Sequence, residues 1–194
     1  RWPAVEIAAL PDGDLPSHYF DAQRRRIASV PRTIEIGDSF VCPPDYEAGW
    51  TMLQEKVKKG EDINGHLSMG HISLLNHDGL LAEWGVHHFH LGTTFHPKNP
   101  AFADRTGPLV YAIVGNEAFY AINVYDHYSF ENIDVLESIH RNWPEMISRY
   151  RAKGVTGGAW NKEQRRALRR KNANVSVTTS DGTVYMPIGG GVVA

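Results

Sequence analysis

Two apolar runs divided by Gly115-Asn116 place the tightest constraint on how this chain can fold. Both residues tolerate the positive φ that a two-residue hairpin turn demands. The turn predicts Val114 opposite Glu117, Ala112 opposite Phe119 and Val110 opposite Ala121. Side chains alternate between sheet faces, so Leu109, Tyr111, Ile113, Ala118, Tyr120, Ile122 and Val124 share one face, expected on the core. The other face carries Val110, Ala112, Phe119 and Ala121, then turns polar at Asn123, Tyr125 and His127.

Upstream, residues 80–92 also read as β and contain the run His87-His88-Phe89-His90. If Phe89 and Leu91 point to the core, His87 joins them, while His88 and His90 project from the opposite side. That parity predicts an open sheet face bearing His88, His90 and His127 together with Asn123 and Tyr125.

A chain of 194 residues suits one domain, and the reading assigns a core to residues 1–153 and a tail to residues 154–194 packed on it. No apolar run approaches the ~18 residues of a membrane span. The single cysteine, Cys42, excludes an internal disulfide and points to a reducing, cytoplasmic setting. Cys42 itself reads as an inert small hydrophobe rather than a nucleophile. The net charge of -2 hides an asymmetry: between Arg141 and Lys171 ten basic residues face two acidic ones. Such a block suits a polyanion partner, with a solvated helix face as the alternative.

The remaining pattern predicts helices around the strands. Ser17 can cap a helix over residues 18–28 with Phe20 and Ile27 buried and Arg24-Arg25-Arg26 solvated. Thr33 to Ile36 is a short strand. Tyr46, Trp50, Leu53 and Val57 recur at helical spacing, with Gly60 as the stop. Residues 61–78 give a poor signal, with Ile72, Leu74 and Leu75 expected inside and His66, His71 and His77 in loops or at edges. A polar loop follows over residues 93–107, carrying Arg105. Ser129 can cap a helix to Asn142, a basic helix covers residues 161–171, and a short hairpin turns at Ser180-Asp181-Gly182. Gly189-Gly190-Gly191 lacks the context of a phosphate loop. The fold class expected is α+β, an antiparallel sheet flanked by helices.

Imidazole takes or gives a proton near neutral pH. Two such rings flanking a phosphate can cleave RNA without metal, one removing the 2′-OH proton and the other protonating the leaving 5′-oxygen. A cation stabilises the charge that develops. His88 or His90 with His127 supplies the pair, Arg105 the cation, and Tyr125 can orient a base or donate a proton. Arg165, Arg166, Arg169 and Arg170 offer nucleic-acid contacts. The same three histidines, with His96 as a further ligand, also fit a three-nitrogen zinc site of hydrolytic type. A third reading is a non-enzymatic module that binds nucleic acid or protein.

The order of elements from Trp50 to Asn142, and above all Arg105 followed by the hairpin Gly107-Pro108-Leu109-Val110-Tyr111-Ala112-Ile113-Val114, resembles RelE-type ribonuclease toxins of the barnase, EndoU, colicin and RelE superfamily. The resemblance implies a small α+β fold whose sheet presents catalytic groups to RNA, with an antitoxin or immunity protein as partner. Arg105, Tyr125 and His127 match the zone where such enzymes place their acid-base residues. The near-neutral charge, the histidine run and the extra segments at both ends depart from that pattern.

Overall fold

Strong β formers between Pro108 and Asp126 build the centre of the protein, seen here in a computed structural model that describes residues 2–11, 13–127, 133–158, 160–169 and 175–187. In chain order, helices α1 (Ala4–Ala8) and α2 (Leu15–Arg24) precede strand β1 (Thr33–Ile36). Helix α3 (Glu47–Lys59) leads, through two 3-10 turns, to α4 (Gly79–Trp84) and β2 (Val86–His90). A small ribbon of β3 (Phe95–His96) and β4 (Asn99–Ala103) is followed by β5 (Pro108–Val114) and β6 (Ala118–Asp126). Helices α5 (Ile133–Asn142) and α6 (Pro144–Ile147), strand β7 (Arg151–Ala152), helix α7 (Lys162–Arg169) and strands β8 (Val177–Thr178) and β9 (Val184–Tyr185) complete the described chain. The class is α+β, as expected. The sheet is mixed rather than wholly antiparallel: its order is β1-β6-β5-β2, with β1 parallel to β6.

Both faces of that sheet are buried, which corrects the expectation of one core face and one open face. Val110, Ala112, Phe119, Ala121, Phe89 and Leu91 pack against Trp50, Leu53 and Val57 of α3. Leu109, Tyr111, Ile113, Ile122 and Val86 pack against α4 and α5 through Leu80, Trp84, Leu136 and Ile139. A strand sandwiched in this way needs apolar residues at every position, so alternation carries less information than in a one-sided sheet.

The hairpin differs from its predicted register. Gly115 N–H donates to the Ala118 carbonyl at 2.9 Å, which centres the turn on Asn116-Glu117, and Val114 pairs with Phe119. Gly115 does not adopt positive φ; among the described glycines only Gly60, Gly85, Gly154 and Gly182 do. The register then shifts between Tyr111 and Ala112, leaving Ile122 as the extra residue of a bulge. Beyond it Val124 moves to the α3 side and Tyr125 to the side of Tyr111.

Other boundaries also move. Residues 79–84 form α4 rather than strand, capped by Asp78 and stopped by Gly85 at φ 73. Helix α2 starts at Leu15, where Pro16 fits the first turn, and Ser17 does not cap it; Ser17 donates to the Asp14 carbonyl instead. Phe20 lies exposed and Arg25 buried, the reverse of the expected stripe. Arg25 donates to the carbonyls of Gly70, His71 and Ser73, which replaces the hydration it gives up. Leu74 is buried but Ile72 and Leu75 are exposed, and His66 is buried rather than at an edge. The loop over residues 93–107 contains the β3–β4 ribbon. Helix α7 opens with a reciprocal cap: Gln164 N–H donates to Asn161 Oδ1, and Asn161 N–H to Gln164 Oε1. Ser129, Arg170, Lys171 and Gly189 to Gly191 lie outside the described residues, as does the Arg169 side chain. At the C-terminal hairpin β9 pairs with β7, and Tyr185 packs in the core cluster on the α5 side. No helix among the described residues is long and apolar enough to cross a membrane.

One consequence concerns Gly49. A Cβ there would collide with the Leu91 carbonyl, so α3 meets the end of β2 backbone to backbone. Alanine normally gains about 1 kcal/mol over glycine inside a helix. Here the clash should reverse the sign, and Gly49→Ala is expected to destabilise by roughly 1–3 kcal/mol. A urea midpoint equal to or above that of the parent protein overturns the expectation.

Candidate active site

The pairing of β2 with β5 decides where the histidines go. His88 stands opposite Tyr111 and His90 opposite Leu109, so both lie on the α4–α5 side of the sheet, not on an open face. Residues of β6 before the bulge would have placed His127 on the other side. The bulge inverts that parity, and the His127 N–H then closes on the Gly107 carbonyl at 3.1 Å. The three rings therefore converge: His127 lies 6.4 Å from His88 and 6.3 Å from His90, centroid to centroid. Arg105 joins them, its Nη2 donating to His127 Nε2 at 3.3 Å.

The hydrogen bonds separate the roles of the rings. Thr106 N–H donates to His90 Nδ1 at 3.1 Å, so in the neutral ring the proton sits on Nε2. Nε2 is buried with no hydrogen-bond partner among the described residues. Thr106 is held in turn: its hydroxyl donates to the Pro108 carbonyl at 2.6 Å and accepts from Leu91 N–H at 3.1 Å. A guanidinium only donates, so His127 accepts at Nε2 and carries its proton on Nδ1. At His88, Nδ1 lies 3.6 Å from Asp78 Oδ2, too long for a hydrogen bond but close enough to favour a proton on that nitrogen. Asp78 is fixed because its Oδ1 accepts from Leu81 N–H at the start of α4.

Burial dominates the proton affinities. It pushes His90 down to about 4, with Arg105, His88 and His127 adding to the effect. His88 is lowered by burial as well, with Asp78 opposing, so both rings are neutral at pH 7. Tyr125 is pushed up to about 12 by burial and then by Asp134, which makes it a poor proton donor. Its ring packs edge-on against Tyr111 at 5.1 Å, a wall rather than a participant. A cavity of about 280 Å³ opens beside His88, lined by Ser68, Asn76, His77, Asp78 and Leu80.

Arg165 and Arg166 lie on α7, and among the described residues the basic helix contributes none to the lining of the His88 cavity. For the zinc reading, no group of three or more His, Cys, Asp or Glu among the described residues is arranged to hold a metal ion. The Arg105 cation beside His127 also opposes a second positive charge there. His96 instead accepts from Lys98 N–H through Nδ1. Asp78 escaped the sequence reading because it lies in the stretch of poor signal; the Asp-Gly pair before an apolar run was its one visible cue. No protein family, curated protein or solved structure matches the chain.

Proposed function

We propose that this protein is a metal-independent endoribonuclease of the toxin kind. The observation that supports it is the convergence of three imidazoles with one arginine at one end of the sheet. His88 is neutral at pH 7, and Asp78 beside Nδ1 leaves Nε2 as the lone pair that takes the ribose 2′-OH proton. The 2′-oxygen attacks phosphorus and the 5′-oxygen leaves with a proton from His127. Arg105 turns from His127 to the phosphate and stabilises the charge on the equatorial oxygens, and the freed Nε2 takes up a proton from water and passes it to the leaving 5′-oxygen. His90 donates through Nε2–H to the same phosphate. The products are a 2′,3′-cyclic phosphate and a 5′-OH.

Arginines of α7 would add phosphate contacts outside the site, and an inhibitory partner would need to cover the Arg105 end. The purified protein is expected to cleave single-stranded RNA in EDTA and to leave cyclic or 3′-phosphate ends. Ends bearing 5′-phosphate, or cleavage that stops in EDTA, sinks the assignment.

A further inference from the structure

A second cavity, of about 410 Å³, lies between α3 and the β3–β4 ribbon, apart from the histidine cluster. Its floor holds His66, which is 1 % exposed. His66 Nδ1 donates to the His90 carbonyl at 2.9 Å, and its Nε2 accepts from Lys56 Nζ at 3.1 Å. Burial and the neighbouring Lys56 both keep His66 neutral. Lys56 thus spends one proton on an uncharged ring and has no carboxylate within ion-pair distance among the described residues. Asp62, on the same rim, accepts the N–H and the amide of Asn64 through Oδ1, which holds that oxygen on Asn64 and not on Lys56. A half-buried ammonium with two donors left over is a seat for an anion.

The walls add a second requirement. Phe95, 77 % exposed, lines the cavity together with Met52 and the buried Phe102. A lone exposed ring on a short ribbon offers a face for a planar aromatic group. Thr93 and Thr94 line the same rim with hydroxyls. The ribbon is tied to the proposed site: Asp104 N–H donates to the Thr94 carbonyl at 2.8 Å, and Arg105 follows directly. A Cβ at Gly92 would collide with the Asp104 carbonyl, so the segments flanking the ribbon meet backbone to backbone.

We infer that this cavity is a nucleotide subsite, holding the base on Phe95 and its phosphate on Lys56. It rests on the ribonuclease reading for its source, a nucleotide flanking the scissile bond in an RNA chain. Binding of adenosine monophosphate and of a short RNA would be measured by calorimetry on the His127→Ala protein. Lys56→Gln and Phe95→Ala, placed in that background, are each expected to weaken both ligands about tenfold. Lys56→Arg should restore most of the loss, and inorganic phosphate should compete in the Phe95→Ala protein as well as in the parent. In the otherwise unsubstituted protein the same two changes should raise KM for RNA and leave kcat within about twofold.

Mononucleotide binding that depends on Lys56 and Phe95 without any RNA cleavage keeps the subsite and removes the ribonuclease reading. Cleavage with KM unmoved in both variants does the opposite and overturns the subsite. Binding of neither ligand, or binding indifferent to both substitutions, also overturns it. Thermal melting checks that the variants fold, and the Phe95→Ala melting temperature is expected to match the parent because Phe95 is 77 % exposed.

Discussion

Alanine at His88 or at His127 is expected to slow RNA cleavage by roughly 10²- to 10⁴-fold, the usual worth of a general base or acid. The two losses should not add, because both groups act in one step. Their pH profiles tell them apart. Burial lowers the His88 proton affinity, so the rate should hold as pH falls through 6.5 and drop only below it. His88→Ala should abolish that acid limb, whereas His127→Ala should leave it in place. His90→Ala should also cost rate, through the lost Nε2–H donor and through Thr106, whose N–H loses its acceptor beside Arg105. It should not move the acid limb. Rates that stay within threefold of the parent in both the His88 and the His127 variants remove the histidines from the chemistry.

The protein should also lose stability steeply between pH 6.5 and about 4. His87 and His90 are each pushed by burial from an ordinary 6.5 to about 4. In that window the unfolded chain binds the proton and the folded chain refuses it, so stability is complete above 6.5 and falls as pH drops. Each ring contributes a slope of about 1.4 kcal/mol per pH unit. His66, His71 and His88 are lowered by burial too and act in the same direction. Against a total stability of about 5–15 kcal/mol, acid unfolding should be well advanced before pH 4. Asp38, held low by Arg141, and Asp181, held low by Thr183 and Thr179, act only below the carboxylate range and do not mask the effect. His87 faces Asp78, His88, His71 and Arg24, and Asp78 is the one neighbour that would favour its charge. His87→Gln removes one titrating ring without adding an apolar surface. Urea midpoints across the window should then show a slope shallower by about 1.4 kcal/mol per pH unit. An unchanged slope means the His87 ring is already charged in the folded protein.

Residue order alone determined the elements whose chemistry is local. Helix α3 follows from Trp50, Leu53 and Val57 at helical spacing and ends at Gly60, where φ is 71 and only glycine sits without strain. Strands β1, β5 and β6 follow from β-branched and aromatic runs. The expectation that His88, His90 and His127 share a face came from two steps that the tertiary structure replaced. The histidines lie on the Tyr111 side because β2 pairs with β5 in that register, and His127 joins them because a bulge inverts β6 after Ile122. Neither pairing nor bulge is written in a two-residue period, since a sheet buried on both faces is apolar at odd and even positions alike. His66 and Arg25 acquired hydrogen-bond partners from segments distant in sequence, and Asp78 came within 3.6 Å of His88, contacts that only the packed chain brings within reach. Helical spacing and turn residues act over a few positions and can be read from order; the register of β2, the bulge in β6 and the depth of each imidazole depend on how two separate cores close on one sheet, and only the tertiary structure decides them.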